Sequence, residues 1–296
     1  MRKEIMRSPI FYMGNKERLI KKGLINLFPK DIDRFIDLFC GSGVVSMNVS
    51  ANCYVLNDYN TTIIDLLKYF KDNNAKDIID KMLIIIETHN LLKGFNKSDT
   101  SVTEEYKKLA KDNYNKFRNY YNTIDKSMLN LYILSYYCNT NNIRFNKSGE
   151  FNMPIGNQYF NVETHSKKII DGCNFLSRPN VYLTNKDYKT FNINALRKSD
   201  FVYFDPPYTN TLAIYNEQQG WGVENDKQLF EICDDLTRRD IKWAMSNVFS
   251  NKGITNQHLV DWVNKHNYNV HHFGDFTYMA CGKGNAKTDE VLIMNY

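Results

Sequence analysis

Seven residues, Arg34-Phe35-Ile36-Asp37-Leu38-Phe39-Cys40, run straight into Gly41-Ser42-Gly43 and then into the helix-compatible stretch Val44–Val49. A short apolar run cut off by glycines reads as a buried strand that turns sharply into a helix. The pattern recurs. Cys53–Asn57 is a second short strand ending at Asp58, and Thr61–Phe70 follows as an amphipathic helix through Ile63, Ile64, Leu66, Leu67 and Phe70. Val181–Leu183, Asp200–Phe204, Lys242–Asn247 and Glu290–Asn295 carry further strand patterns. Helices are predicted over Asn225–Arg239 and Gln257–His266. Strands alternating with helices imply an α/β chain, because parallel strands need helical crossovers. Between residues 62 and 157 the pattern is mainly helical. One β-hairpin is predicted there, with Asn142–Asn146 and Glu150–Pro154 flanking a turn at Lys147-Ser148-Gly149. The expected organisation is therefore a sheet domain from 1–61 and 158–296, with an insertion at 62–157.

Composition narrows the class. The chain has 296 residues and a formal net charge of +5. No apolar run reaches the ~18–20 residues of a membrane span, and Met82–Ile86 is short and flanked by charge. Met1-Arg2-Lys3-Glu4 leads into mixed sequence with no signal-peptide core. The six cysteines (40, 53, 138, 173, 233, 281) form no CxxC pair and no metal-ligand spacing. Free thiols in a reducing cytoplasm are expected, and no metal. The charge is localised: Tyr106–Lys147 holds Lys107, Lys108, Lys111, Lys116, Arg118, Lys126, Arg144 and Lys147 against Asp112 and Asp125. That window carries +6 and the remainder −1. Basic residues interleaved with Tyr and Asn suit phosphates and bases, but a solvated basic helix face fits the same residues.

The glycine turn stands at a strand's carboxyl end, where α/β sheets bind ligands. Asp58 lies about 20 residues on, at the spacing of a ribose-binding acid. No GxxxxGK[ST] is present, and Ser46 replaces the third glycine of the dinucleotide fingerprint. This favours a nucleoside cofactor without a pyrophosphate, such as S-adenosylmethionine, over NAD. Downstream, Phe201–Phe204 ends in Asp205-Pro206-Pro207-Tyr208. Two prolines end the strand and fix the path that follows. Asp205 and the Pro206 carbonyl can accept both hydrogens of an exocyclic amino group, and Tyr208 can stack on an extruded base. A rigid turn with an incidental Asp is the plainer alternative.

These residues resemble the N6-adenine-specific DNA methyltransferases, most closely the Dam-type enzymes of the alpha group (D12 class) in bacteria and phages. Phe11-Tyr12-Met13-Gly14-Asn15-Lys16 looks like the family's cofactor segment, Asp37–Gly43 its glycine motif, Asn57-Asp58 its ribose acid and Asp205–Tyr208 its catalytic motif. Thr288-Asp289-Glu290-Val291 is also similar to this group. The resemblance implies a Rossmann-like S-adenosylmethionine-dependent sheet with an inserted target-recognition domain. It implies cofactor contacts at Tyr12, Lys16, Asp37, Phe39, Gly41, Gly43, Asp58, Asp187 and Asp205, and a target adenine held by Asp205, Pro206, Pro207 and Tyr208. Duplex DNA would be bound by Asn142, Arg144, Asn146, Lys147, Pro154 and Arg118, the hairpin Gly149–Gly156 being similar to the family's reading hairpin. GATC is the favoured target, although the Asn-rich flanks of Arg144 depart from the bacterial enzymes. A cytoplasmic monomer, or a weak dimer on DNA, is expected, as is a link to restriction–modification. An RNA or protein amino-group methyltransferase and a catalytically dead DNA-binding relative stay open. His271-His272 is expected to be structural or exposed.

Overall fold

The computed structural model describes residues 4–95, 101–209, 220–277 and 287–296, with the side chains of 275–277 excepted. Residues 1–3 and Cys281 lie outside the described residues. Along the chain come α1 (Glu17–Lys21), β1 (Arg34–Asp37), α2 (Val44–Asn48), β2 (Cys53–Asn57), α3 (Thr61–Asp72), α4 (Ala75–Thr88), α5 (Glu104–Thr123), α6 (Met128–Tyr137) and α7 (Val162–Leu176). Then follow β3 (Val181–Thr184), β4 (Asp200–Phe204), α8 (Val223–Arg238), β5 (Lys242–Asn251), β6 (Ile254–Thr255), α9 (Gln257–His266), β7 (Asn269–Thr277) and β8 (Lys287–Met294). Among these residues no helix is long and apolar enough to cross a membrane.

The chain divides into two compact units, one of residues 16–60 and 180–296 and the other of 1–15 and 61–179. The first is a sheet in the order β3-β2-β1-β4-β5-β8-β7, with β6 paired to β5. Strands β3, β2, β1, β4 and β5 run parallel, and β8 is antiparallel to both β5 and β7. All five residues of β4 are buried, as expected of a central parallel strand covered on both faces. Register sorts the side chains by face. Phe35 pairs with Phe201, and with Phe28 and Tyr203 they form one aromatic cluster. Ile36, Val202 and Trp243 belong to the other core, with Leu229 and Leu236 of α8 and Trp262 of α9. There Phe230 stacks on Trp262 at 4.0 Å.

Sheet order reverses at β1, whose neighbours β2 and β4 carry chain in opposite directions across the sheet. The carboxyl ends of β1 and β4 thus flank a topological switch point. Asn57, at the end of β2 and 1% exposed, clamps this edge. Its amide nitrogen donates to Leu38 O and Lys186 O, both at 3.0 Å. Its oxygen accepts from the Thr184 hydroxyl at 2.8 Å and Lys186 N at 3.1 Å.

The helical unit is built around α6, whose residues 129–137 are all buried. A helix apolar on every side has no solvent face to present, and α3, α4 and α5 pack against it. The N-terminal segment belongs here too: Tyr132 donates to Pro9 O at 3.0 Å and the Phe11 ring meets Tyr136 edge-on at 4.9 Å. Helix α7 packs on α3 and α4, so this unit extends to Pro179, past the expected limit at 157. Gly172 of α7 gives Pro9 room, since a Cβ there would stand 2.6 Å from the proline ring.

The structure amends three elements. Strand β1 ends at Asp37 rather than Cys40: Leu38 and Cys40 keep single backbone bonds, to Tyr203 O and Asn57 O, as the chain runs into the turn at Gly41 (φ 48°) and Gly43 (φ 74°). Strand β7 is a polar edge strand that the apolar pattern did not reveal. The expected hairpin is a turn at Gly149 (φ 72°) closed by two isolated bridges, Phe145–Phe151 and Cys138–Ile155, rather than two full strands. Side chains of α5 replace the missing ladder. The Tyr114 hydroxyl and the Arg118 guanidinium donate to Met153 O at 2.8 and 3.0 Å. Asn122 pairs with both the N–H and the C=O of Phe151, at 2.9 and 3.1 Å.

Asn57→Ala removes partners from four polar groups at the carboxyl edge of the sheet. Urea unfolding should show a loss of about 2–3 kcal/mol; a midpoint equal to wild type would show that the clamp is dispensable.

Candidate active site

In the sheet unit, the loops after β1, β2, β3 and β4 gather the site. Asp37, at the tip of β1, is 1% exposed. Its Oδ2 accepts from the Ser46 hydroxyl at 2.7 Å, whereas its buried Oδ1 has no hydrogen-bond partner among the described residues. Burial pushes this carboxyl up to about 7, against the lowering effect of Ser46. A buried acceptor with an unused oxygen is costly unless something fills it.

Asp58 holds the glycine turn from below. Its Oδ2 accepts from Gly41 N and its Oδ1 from Asn60 N, each at 2.8 Å. Burial raises its pKa and these two amides lower it. Each oxygen keeps a second lone pair. After β3, Asp187 caps a short turn by accepting from Lys189 N at 2.9 Å. The next residue, Tyr188, meets Phe39 at 5.5 Å and Trp221 at 5.3 Å, and Phe39 meets Trp221 at 5.7 Å. Trp221 is oriented through its indole N–H, which donates to buried Asp226 at 2.9 Å.

Asp205 follows the last residue of β4, where Pro206 and Pro207 end the pairing. The ammonium of Lys16 lies 2.8 Å from its Oδ1, with the lysine side chain 6% and the aspartate side chain 19% exposed. The Tyr208 hydroxyl reaches the same Oδ1 at 3.2 Å and Glu290 Oε1 at 3.3 Å. Lys16 also stands 5.1 Å from the centre of the Tyr208 ring and 3.9 Å from Glu290. Burial raises the pKa of Asp205, Lys16 lowers it, and Glu290 raises it again. This is a compact centre of two carboxylates, one ammonium and one phenol.

The sheet unit therefore brings together Lys16, Asp37, Phe39, Gly41, Gly43, Asp58, Asp187, Asp205, Pro206, Pro207 and Tyr208. Tyr12 belongs to the helical unit, and the segment expected as one cofactor contact divides after Asn15. Trp221 has no sign in the sequence, and Glu290 stands there only within the family-like string Thr288-Asp289-Glu290-Val291, with no role attached. Glu290 had a legible sign, an acid opening the apolar run Val291-Leu292-Ile293-Met294.

In the helical unit, Lys147 and Pro154 are exposed, and Asn142, Arg144 and Asn146 are half-buried on the Gly149 turn. Arg144 Nε donates to Asn152 Oδ1 at 3.0 Å, which fixes the plane of its guanidinium. Asn146 closes the turn by accepting from Ser148 N and Glu150 N. Arg118 is a strut to Met153 rather than a free surface arginine. Lys108, Lys111, Lys116 and Lys126 are exposed. His271 and His272 are exposed, as expected, and His272 faces Asp289 across β7 and β8 at 3.0 Å, a partner that sequence distance concealed. No group of metal-ligating side chains occurs among the described residues, and the five described cysteines are free.

A model of the D12 class N6 adenine-specific DNA methyltransferases matches residues 12–279. The chain is 32% identical over 297 residues to the type II methyltransferase M.FokI of Planomicrobium okeanokoites, covering 98% of this chain and 43% of that protein. It is 33% identical over 303 residues to the modification methylase StsI of Streptococcus sanguinis, covering 99% and 43%. It is 30% identical over 299 residues to the modification methylase LlaI of Lactococcus lactis subsp. lactis, covering 99% and 44%. The chain thus spans less than half the length of these relatives. With the model covering nearly all of it, the chain belongs to the D12 class of N6 adenine-specific DNA methyltransferases.

Proposed function

We propose that this chain methylates N6 of an adenine in duplex DNA, with S-adenosylmethionine as donor. The observation that carries the reading is the pairing, at one switch point, of Asp205-Pro206-Pro207-Tyr208 with a glycine turn whose Asp37 keeps an unfilled, buried oxygen. That oxygen fits the ammonium of an amino-acid cofactor. Asp58 has lone pairs to spare for ribose hydroxyls, and Phe39, Tyr188 and Trp221 offer aromatic surface for a base. The donor supplies, when bound, a methyl group on a positively charged sulfur.

The protein's own work is orientation and proton handling. An adenine amino group is a poor nucleophile because its lone pair is delocalised into the ring. Accepting its hydrogens at Asp205 and the Pro206 carbonyl favours a geometry in which that lone pair is free. Tyr208 stacks on the base that leaves the helix. On the helical unit we assign DNA contact to the Gly149 turn and the exposed lysines of α5, with Arg144 as the base reader and Arg118 acting through the turn it supports. The relatives' names carry modification activity but no target sequence, so GATC draws no support from them. A cytoplasmic enzyme acting as a monomer or weak dimer on DNA completes the reading.

Asp205→Ala should lower methyl transfer to duplex DNA by about 10²–10³-fold or more, with the circular dichroism of a folded protein retained. Wild-type rates in that variant would sink the reading. Incubating the wild type with donor and mixed-sequence DNA, then mapping methylated bases, identifies the target.

Asp37 supplies a second test. Its folded pKa near 7 lies above the usual value of 3.8, so its stabilising share is complete below about pH 4 and lost as pH rises through 7. Asp37→Asn should therefore melt higher than wild type at pH 8, with a smaller advantage at pH 5 and none below about pH 4. The same change should weaken donor binding by about tenfold or more, read by calorimetry.

Binding to DNA should be salt-sensitive. With about six phosphates contacted, log K should fall against log salt with a slope near −5. A flat profile would remove the basic turn and α5 from the interface.

A further inference from the structure

Glu290 is buried on β8, its side chain only 4% exposed, in a strand whose following residues are all apolar. Withdrawing a carboxylate from water is costly, and a structural sheet position would be served as well by Val or Leu. Among the described residues, the groups turned towards it include Lys16 ahead of α1, Asp205 and Tyr208 after β4, and, at longer electrostatic range, Tyr203 of β4. Opposite it on β5 stands apolar Val248.

The hydrogens in this cluster can be counted. Tyr208 has one hydroxyl hydrogen and lies within hydrogen-bonding distance of two carboxylate oxygens, Asp205 Oδ1 at 3.2 Å and Glu290 Oε1 at 3.3 Å. With both carboxylates ionised, that hydrogen serves one of them and the other faces an oxygen lone pair. One additional proton resolves the conflict. Asp205, protonated, donates to the Tyr208 oxygen, and Tyr208 donates to Glu290, so each junction holds a hydrogen. The net charge of Asp205, Lys16 and Glu290 rises from −1 to zero at the same time.

We propose that Glu290 is a positioning residue of the methyl-transfer centre, which shares with Asp205, through the Tyr208 hydroxyl, the proton released when the adenine amino group is methylated. This rests on the function proposed above and deepens it. The new N–C bond forms as the methyl's bond to sulfur breaks, with the electron pair left on sulfur. The amino nitrogen, momentarily carrying an extra positive charge, gives one proton to Asp205. The Tyr208 hydrogen then settles on the Glu290 side, and the proton is held by the two carboxylates together until it passes to solvent.

The test uses the whole chain with Glu290→Gln, which keeps volume and an acceptor oxygen but removes the charge. Single-turnover transfer to duplex DNA should fall about tenfold or more at pH 7, with donor affinity by calorimetry within about twofold of wild type. Glu290→Asp should recover part of the rate. A second reading needs no activity: the melting temperature of ligand-free Glu290→Gln minus that of wild type should become more positive between pH 5 and pH 8.5, because the Glu290 charge is one of the causes that raise the pKa of buried Asp205, and removing it reduces the stability lost as Asp205 ionises. Tyr208→Phe, which keeps the ring, should show the same loss of transfer, and it carries the test if Glu290→Gln does not fold. Wild-type transfer rates in Glu290→Gln would overturn the proposal. So would a loss of transfer with an unchanged pH trend of melting, which would make Glu290 a strut. If the wild type itself methylates no adenine, the proposed function fails instead, and the melting trend still reports whether the proton is shared.

Discussion

Parallel pairing of β2 and β4 on the two flanks of β1 decides where the chemistry of this protein stands. Because the strands are parallel, their carboxyl ends lie on one edge, and because the order reverses at β1, the loops there diverge and leave a crevice. Asp37 and Asp205 then emerge as neighbours despite lying far apart in sequence. The pleat adds its own constraint. Phe35 and Phe201 take one face, Ile36 and Val202 the other, and both cores are fully packed, so neither strand can slip by one residue without turning two cores inside out. The positions of the two carboxylates are fixed by aromatic packing well away from them.

Carboxylates gathered this way carry a desolvation cost that the surrounding groups only partly offset. Lys16 comes from a different part of the chain to lie against Asp205, and Gly41 and Asn60 turn their N–H groups on Asp58. Asp37 retains an oxygen with no hydrogen-bond partner among the described residues. The ligand-free fold is thus stabilised less than it would be with neutral residues there, a difference that the cationic donor proposed above would recover on binding. Strain of this kind, held at a site and tolerated because the remainder of the fold is well packed, is what a binding centre looks like before it binds.

Much of this was legible in the sequence. The glycine turn, Asp58 and Asp205-Pro206-Pro207-Tyr208 are local: each is a contiguous string whose chemistry follows from its own residues, and α9 and β4 lie where the apolar spacing put them. What escaped was non-local. Glu290 reaches Tyr208 only after β8 has inserted between β5 and β7, and Trp221 meets Phe39 only once α8 is docked. Strand β7 lacks an apolar stripe because it is a sheet edge. Arg118 looked like one more cation in a basic window, and its engagement with Met153 depends on a helix-to-turn distance that no spacing rule contains.

The way α5 supports the Gly149 turn has a consequence for how such a domain changes over time. Tyr114, Arg118 and Asn122 grip only backbone atoms, the carbonyls of Met153 and Phe151 and the N–H of Phe151. A main-chain atom is the same whatever residue carries it. The exposed side chains of the turn, Lys147 and Ser148, can be exchanged one by one while the helix continues to hold the same path of chain. Support and surface are separated, so if the turn contacts DNA as proposed, its recognition can change on an unaltered frame.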